Sequence, residues 1–372
     1  MLPAKPAQNL AEALNVFDPR VPLAFADQHP FYVPRPSGTD RLLGDIQAIT
    51  NPNSKWLFSG HRGSGKSTEL MRLAQALSAD NFTVYYTVED VLDMADLDYK
   101  DVLLSLGSAL YAQATARGVK LPRQLLKDLV EWYSVTFQEV EGRISASANL
   151  QEKVDFWLVK IVSRQQSEVG TREVIRKQLE SRLLDLIARI DDIAAAIQAK
   201  TKLPVLAFVD GLDKVMDLAR GRRMFYEGGA NLLQPRLRAV YTVPLALSHT
   251  TEFGQVRTLF DGYFTLPNVN VFHRDGQPHP DGRRMLEALV ERRVAPGLVA
   301  PAAVARLADL SGGVLRELVY LAREACSFAR ARGAEAVDAP DVERAASRLR
   351  GTFASMLDEA HYRELWAIHG DP

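Results

Sequence analysis

The stretch of residues 60–67, GHRGSGKS, constrains this chain more than any other feature. It matches the pattern G-x-x-x-x-G-K-[ST] at every fixed position, after the apolar residues 56–58 and before a helical pattern over residues 67–77. A buried strand, a glycine-rich turn and the start of a helix form the arrangement in which backbone N–H groups surround a phosphate. The segment therefore predicts an α/β fold and binding of a nucleoside triphosphate.

The residue types within this loop suit that chemistry. Glycines allow the backbone to approach crowded phosphate oxygens without a Cβ in the way. Lys66 is expected to bridge the β- and γ-phosphates, the Ser67 hydroxyl to hold Mg²⁺, and Thr68 to lie near the α-phosphate. The predicted ligands are ATP and Mg²⁺. The predicted nucleotide-binding residues of the loop are Gly60, His61, Arg62, Gly63, Ser64, Gly65, Lys66, Ser67 and Thr68.

A second motif, which is acidic, follows an apolar run over residues 203–209, LPVLAFV. A strand that is buried on both faces of a parallel sheet is apolar throughout, and ligands bind at its carboxyl end. Asp210 stands at that end, so it is predicted to hold Mg²⁺ through water, together with Ser67.

Many P-loop ATPases place a glutamate directly after this aspartate, but here the position is Gly211. Another carboxylate must then orient the attacking water, or hydrolysis is slow. Asp213 is the nearest candidate, and Glu89 and Asp90 after the predicted strand at residues 82–88 are the alternatives. The sequence predicts a slow ATPase.

Strand and helix patterns alternate up to about residue 280, and only helical patterns follow. Further strands are predicted at residues 206–209 and 239–243. This alternation predicts a three-layer α/β/α core with a parallel sheet, followed by an all-helical lid. The predicted boundaries are an N-terminal arm with a first helix (1–50), the ATPase core (51–280), the lid (281–350) and a C-terminal tail (351–372).

Residues 120–200 interrupt the alternation of strand and helix patterns in the core and are predicted to be an insertion. Residues at even spacing, most of them apolar, suggest a hairpin, and a heptad-like stripe predicts one long helix over residues 171–200. The stripe fits either a helix packed on its own sheet or an arm that binds a partner. The hairpin positions are Val140, Ile144, Ala146, Ala148, Phe156, Leu158, Lys160 and Val162.

Composition narrows the classes of protein that remain. The chain of 372 residues has 45 Lys+Arg and 46 Asp+Glu, a formal net charge of −1, so it is not a strongly basic nucleic-acid coat. The single cysteine, Cys326, excludes an internal disulfide and a Cys-rich zinc site, and the seven histidines have no metal-binding spacing. With no apolar run of about 18 residues and no signal-peptide core, a cytoplasmic protein without a membrane segment is expected.

Taken in order, the motifs resemble those of AAA+ ATPases, most closely the initiator (origin-recognition-like) branch and the related STAND ATPases. The resemblance rests on the phosphate loop, the Asp-Gly-Leu-Asp strand end at residues 210–213, a polar strand end at 239–243, and Gly-x-x-Arg at 313–316. It implies a P-loop core followed by a helical lid, with ATP bound between the two.

The resemblance also implies roles for single residues. Val33 and Arg35, in the segment Phe-Tyr-Val-Pro-Arg, would lie near the base. Thr242 would contact the γ-phosphate or the attacking water, and Arg316 would reach the γ-phosphate from the lid. Arg257 would act as an arginine finger on the nucleotide of a neighbouring subunit, with Arg222, Arg223 and Arg238 as competitors.

Three functions remain open at this level. The first is an ATP-binding, slowly hydrolysing module that forms homo-oligomers and switches a separately encoded protein partner, as in phage defence or mobile-element control. The second is an initiator- or transposition-regulator-like ATPase that binds DNA through basic clusters at residues 220–223 and 330–332, which the net charge does not indicate. The third is a nucleotide-binding scaffold with little hydrolysis. No winged helix or effector domain is visible, so a bare ATPase module is expected.

Overall fold

The computed structural model describes residues 3–21, 23, 29–35, 39–137, 148–165, 169–215 and 217–369. These residues form two compact units. The sheet unit consists of the described residues of Thr39–His61 and Glu69–Leu266. The helical unit consists of the described residues of Met1–Gly38, Arg62–Thr68 and Pro267–Pro372.

Five parallel strands form the centre of the sheet unit, in the order β2-β3-β4-β1-β5. The strands are β1 (Lys55–Gly60), β2 (Phe82–Thr87), β3 (Val205–Asp210), β4 (Arg238–Thr242) and β5 (Gly262–Leu266).

Helices account for most of the remaining structure. In chain order they are α1 (Leu10–Val16), α2 (Asp40–Ala48), α3 (Lys66–Ala76), α4 (Tyr99–Ala116), α5 (Arg123–Thr136), α6 (Leu150–Gln165), α7 (Val169–Ser181), α8 (Leu183–Thr201), α9 (Leu218–Arg222), α10 (Gly229–Leu232), α11 (Phe253–Leu259), α12 (Pro280–Glu291), α13 (Pro301–Leu310), α14 (Leu315–Ala331), α15 (Ala339–Ala354) and α16 (Glu359–His369).

Both faces of the sheet are covered, because successive side chains of a strand point to opposite faces. In β3, Ala207 and Val209 pack into one core with residues of α4 and α8. Leu206 and Phe208 pack into another core with Leu42 of α2 and with residues of α3. The predicted three-layer α/β/α arrangement with a parallel sheet is confirmed.

The carboxyl ends of three strands meet at one edge of the sheet. β1 ends at Gly60, β3 at Asp210 and β4 at Thr242. β4 lies between the other two, with Phe58 of β1 paired in register with Thr242. β5 pairs on the other side of β1, and the sequence analysis did not predict this strand. It is an edge strand with mostly half-buried side chains, so it lacks the continuous apolar signal of the inner strands.

The predicted hairpin is wrong where the structure describes it. Residues 156–162 lie within helix α6, whose buried side chains Val154, Trp157, Leu158 and Ile161 recur at intervals of three and four. Of the four alternating positions that suggested a strand, only Leu158 is buried, so the alternation does not follow the buried face. Of the other predicted strand, residues 140–147 lie outside the described residues, and Ala148 precedes the helix.

The predicted long helix consists of two helices, α7 and α8. They are separated by Arg182, whose φ of −129° and ψ of 26° are not helical. The apolar stripe itself is buried, with Ile175 and Leu179 in α7 and Ile190 and Ile197 in α8. All four belong to the core that includes the sheet residues Ala207 and Val209. The stripe therefore packs into the protein's own core, with α8 against β2 and β3, as the first of the two readings expected.

The helical unit has a separate core formed mainly by α12, α13, α14 and α15, as predicted for the C-terminal region. The N-terminal arm adds the unpredicted helix α1, which packs into this core through Leu10, Ala13 and Val16. The Asn9 side chain caps α1 by accepting the N–H of Glu12 at 3.0 Å. None of the helices among the described residues is long and apolar enough to cross a membrane.

Candidate nucleotide-binding site

The phosphate loop after β1 has a backbone that only glycine adopts without strain. Gly63 has a φ of +86° and Gly65 a φ of +92°. A Cβ on Gly63 would lie 2.7 Å from Cβ of Arg316, and one on Gly65 would lie 3.0 Å from Cδ1 of Leu315. The two glycines are therefore required both by the turn and by the close approach of the first turn of α14.

Hydrogen bonds orient the peptide groups of the loop. The N–H of Arg316 donates to the carbonyl of Gly63 at 3.1 Å. The guanidinium of Arg35 donates to the carbonyls of Ser64 and Pro267. Both loop peptides are trans, so each N–H points opposite to the carbonyl before it. The N–H groups of Ser64 and Gly65 therefore face away from these donors, as binding of an anion requires.

The polar side chains of the loop are largely enclosed. The Ser64 side chain is buried, and its hydroxyl has no hydrogen-bond partner among the described residues. Lys66 is only 6% exposed and is the first residue of α3, while Ser67 is half-buried. A glycine cradle, a buried hydroxyl and a lysine at a helix N-terminus together fit the phosphates of a nucleotide.

Two donors hold the Asp210 carboxylate at the carboxyl end of β3. Oδ1 accepts the N–H of Gly211 at 2.7 Å, and Oδ2 accepts the hydroxyl of Tyr85 at 2.8 Å. Asp210 is 1% exposed. Each oxygen retains lone-pair capacity for a further donor, such as a metal-bound water.

Thr242, at the end of β4, is fully buried and bonded to the end of β3. Its Oγ1 accepts the N–H of Leu212 at 2.9 Å and donates to the carbonyl of Val209 at 3.3 Å. These two bonds flank Asp210 and Gly211, so the Thr242 hydroxyl stabilises the turn that follows the metal-binding candidate.

Gly211 has a left-handed backbone, with a φ of +91°. A Cβ there would lie 3.2 Å from Cγ2 of Val88 and 3.7 Å from Cγ of Glu89. A glutamate at position 211 would thus be strained and crowded. Glu89 is the carboxylate among the side chains nearest to this position, and it forms an ion pair with Lys214. Asp213 is half-buried in the following 3₁₀ turn.

Replacing Gly211 by alanine is expected to lower the free energy of unfolding by about 1–2 kcal/mol, because an L-residue pays that cost in the left-handed region. Gly44, in the middle of α2, is the matched control. A Cβ there meets nothing within 4 Å, and its replacement by alanine is expected to stabilise the helix by up to about 1 kcal/mol. Urea unfolding followed by circular dichroism measures both variants. Equal stability of Gly211→Ala and the wild type would contradict the assignment of strain.

Two other predicted site residues, Val33 and Arg316, lie near the core of the helical unit. Arg316 is half-buried in the first turn of α14, with its Cβ facing Gly63 of the loop. Val33 packs against the core of the helical unit, and the neighbouring Tyr32 carbonyl accepts from Arg292. The structure therefore brings Arg35 and Arg316 to the phosphate loop.

The arginine-finger candidates of the sheet unit differ in their surroundings. Arg257 is exposed on α11, whose Phe253 and Val256 are buried. Arg238 is buried over the Trp56 ring and donates to the Asn81 side chain at 3.2 Å, so it has a structural role.

The other predicted cationic positions are largely paired with acids. Arg222 pairs with Glu252, and Arg220 pairs with Asp217 at 3.5 Å. In the second basic cluster, Arg332 pairs with Asp338 and Asp341. These ion pairs reduce the positive charge that the clusters at residues 220–223 and 330–332 present.

The described part of the chain gives little support for a metal centre built from clustered side chains or for a reactive cysteine. No group of three or more His, Cys, Asp or Glu side chains there is placed to hold a metal ion. Cys326 is buried, and burial raises the pKa of its thiol to about 12, so it is a poor nucleophile at neutral pH.

Tyr85 is the site residue that sequence reasoning missed. The sequence placed Tyr85 only within a predicted strand, FTVYYT. Its hydroxyl contacts Asp210 of the neighbouring strand, which is distant in the sequence. Thr83, Tyr86 and Thr87 of the same strand also carry hydroxyls, so no signal in the sequence distinguishes Tyr85.

Comparisons with known proteins find similar structures. No protein-family model and no curated protein matches the sequence. Among solved structures, the chain is similar to the Aeropyrum pernix ORC1 protein in complex with DNA, with a TM-score of 0.42, 16% identity, and coverage of 86% of this chain and 67% of that one. The Aeropyrum pernix ORC2 protein in its ADP form gives a TM-score of 0.46, 12% identity, and coverage of 89% and 71%.

Drosophila ORC bound to DNA gives a TM-score of 0.44, 15% identity, and coverage of 100% of this chain and 72% of that one.

Proposed function

We propose that this protein is an ATP-binding module that hydrolyses ATP slowly in the presence of Mg²⁺. The observation that carries the proposal is the backbone of the phosphate loop. Gly63 and Gly65 adopt positive φ values, and the carbonyls of residues 63 and 64 are bound by protein donors, which turns the next N–H groups to the opposite side. A loop with this backbone, ahead of a helix that begins with lysine, is suited to a polyphosphate.

The edge of the sheet supports the same assignment. The loop continues from Gly60, and Asp210 and Thr242 end the strands on the same side of β1. Ligands of open α/β sheets bind outside the carboxyl ends of the strands. In the proposed complex Lys66 would bind the phosphates, and Ser67 and Asp210 would hold Mg²⁺, which would supply positive charge to the phosphates.

The arginines have proposed roles at either end of the nucleotide. Arg316 contacts the γ-phosphate, since its backbone already binds the loop at Gly63. Arg35 positions the loop through the Ser64 carbonyl, and Val33 lies on the side of the base. An arginine that senses the γ-phosphate gives ATP and ADP different contact energies, which lets the nucleotide bias a conformation.

We infer that the output is assembly and the switching of a protein partner. Arg257 and Leu259 are both exposed on α11, so both are available to a neighbouring subunit. The near-zero net charge and the paired basic clusters favour a protein partner over nucleic acid. Defence against phage or control of a mobile element is the setting that the sequence resemblance suggests.

Calorimetric titration of the purified protein with MgATP tests the proposal. We expect saturable binding of one nucleotide per chain, and a shift to earlier elution in gel filtration when MgATP is present. Protein in buffer without nucleotide is the control for elution. Absence of binding heat at millimolar MgATP would refute the assignment of ATP binding, and unchanged elution at every protein concentration would refute assembly.

A further inference from the structure

The carboxylate of Asp210 is held more firmly than its position at the end of a strand requires. Both of its oxygens accept hydrogen bonds, from the N–H of Gly211 at 2.7 Å and from the hydroxyl of Tyr85 at 2.8 Å. Two donors on two oxygens fix the plane of a carboxylate that would otherwise rotate about its last side-chain torsion. The direction of the remaining lone pairs is thereby set.

Tyr85 reaches this position because β2 and β3 are adjacent and parallel. Tyr85 is paired in register with Phe208, and Thr87 is paired with Asp210, so the tyrosine lies two residues before the aspartate. Its ring packs against the core that includes Trp56 and Phe208. The ring is thus anchored while its hydroxyl reaches the carboxyl edge of the sheet.

The next residue on the strand, Tyr86, shows that this contact belongs to one face only. Its hydroxyl bonds the Ser105 hydroxyl of α4 at 3.2 Å, on the opposite face of the sheet. Burial raises the pKa of Tyr86. Two adjacent tyrosines therefore offer the same chemical group with and without contact to Asp210.

We propose that Tyr85 is a positioning residue for magnesium: its hydroxyl orients Asp210 so that the carboxylate accepts from water bound to Mg²⁺. The inference rests on the proposed function, because it assigns Asp210 to the metal. Loss of the hydroxyl frees the carboxylate to rotate and leaves Oδ2 without its donor. The predicted defect therefore concerns the metal and not the nucleotide itself.

The test is a Mg²⁺ titration of nucleotide binding by Tyr85→Phe, with Tyr86→Phe as the matched control. Calorimetry measures ATP affinity in EDTA and at increasing Mg²⁺. For Tyr85→Phe we expect the Mg²⁺ concentration at half-maximal enhancement to rise about tenfold, the order of a hydrogen bond to a charged group, with ATP affinity in EDTA unchanged. For Tyr86→Phe both quantities are expected to equal those of the wild type.

A double-mutant cycle separates positioning from a structural role. Asp210→Asn is expected to weaken the Mg²⁺ dependence by itself, and adding Tyr85→Phe is expected to cause no further loss. Independent, additive losses would overturn the inference, as would an identical Mg²⁺ dependence in Tyr85→Phe and the wild type. If the wild type binds no nucleotide with or without Mg²⁺, the proposed function fails instead, so the two failures are distinguishable.

Discussion

Replacing Lys66 by alanine is expected to lower the affinity of the protein for MgATP by about 10- to 100-fold. A hydrogen bond to a charged group contributes about 1.5–3 kcal/mol, and about 1.4 kcal/mol corresponds to a factor of ten in affinity. Lys66 is 6% exposed and begins α3, where the helix N-terminus adds partial positive charge. Removal of the ammonium would take away the positive charge that Lys66 is proposed to bring to the phosphates.

The measurement is calorimetric titration with MgATP, with Lys200→Ala as the matched control. Lys200 is exposed in the last turn of α8, so its removal changes the net charge by the same amount without touching the loop. Lys66→Met retains most of the side-chain volume and tests whether packing contributes. A Lys66→Ala variant that folds and binds MgATP with wild-type affinity would contradict the role of the loop.

The loop was predictable because all of its determinants are local. Its pattern, the strand before it and the helix after it lie within about twenty consecutive residues, and each has its own propensity signal. Asp210 was predictable for a similar reason, since an apolar run that ends in an acid marks the edge of a parallel sheet. The orientation of the loop peptides was not predictable, because the donors Arg35 and Arg316 are distant in sequence.

Contacts between strands set the rest of the site, and they depend on register. Nothing in the sequence around Tyr85 indicates that β2 is paired with β3 so that its hydroxyl meets Asp210. The same holds for the Thr242 hydroxyl, which was expected to face the nucleotide and is bonded to the backbone around Asp210. Over residues 156–162 a short alternation misled the prediction, because four positions are too few to reveal the spacing of three and four that the buried residues follow.

The absence of a glutamate at position 211 leads to the second large expected effect. Glu89→Gln is expected to slow single-turnover ATP hydrolysis by about 100-fold or more, the contribution of a group that positions or deprotonates water. Glu89 is the carboxylate beside Gly211, and its Cγ lies 3.7 Å from where a Cβ on residue 211 would lie. Its carboxylate forms an ion pair with Lys214.

Asp213→Asn is the comparison that decides between the two carboxylates. If Glu89 orients the water, Asp213→Asn retains hydrolysis within about tenfold of the wild type, because Asp213 then acts only through the 3₁₀ turn around it. The reverse pattern would assign the role to Asp213. Glu131→Gln, an exposed glutamate of α5, controls for the loss of one charge. If the wild type and all three variants hydrolyse ATP no faster than buffer, the protein is a nucleotide-binding scaffold, because Gly211 has left it without a carboxylate that activates water.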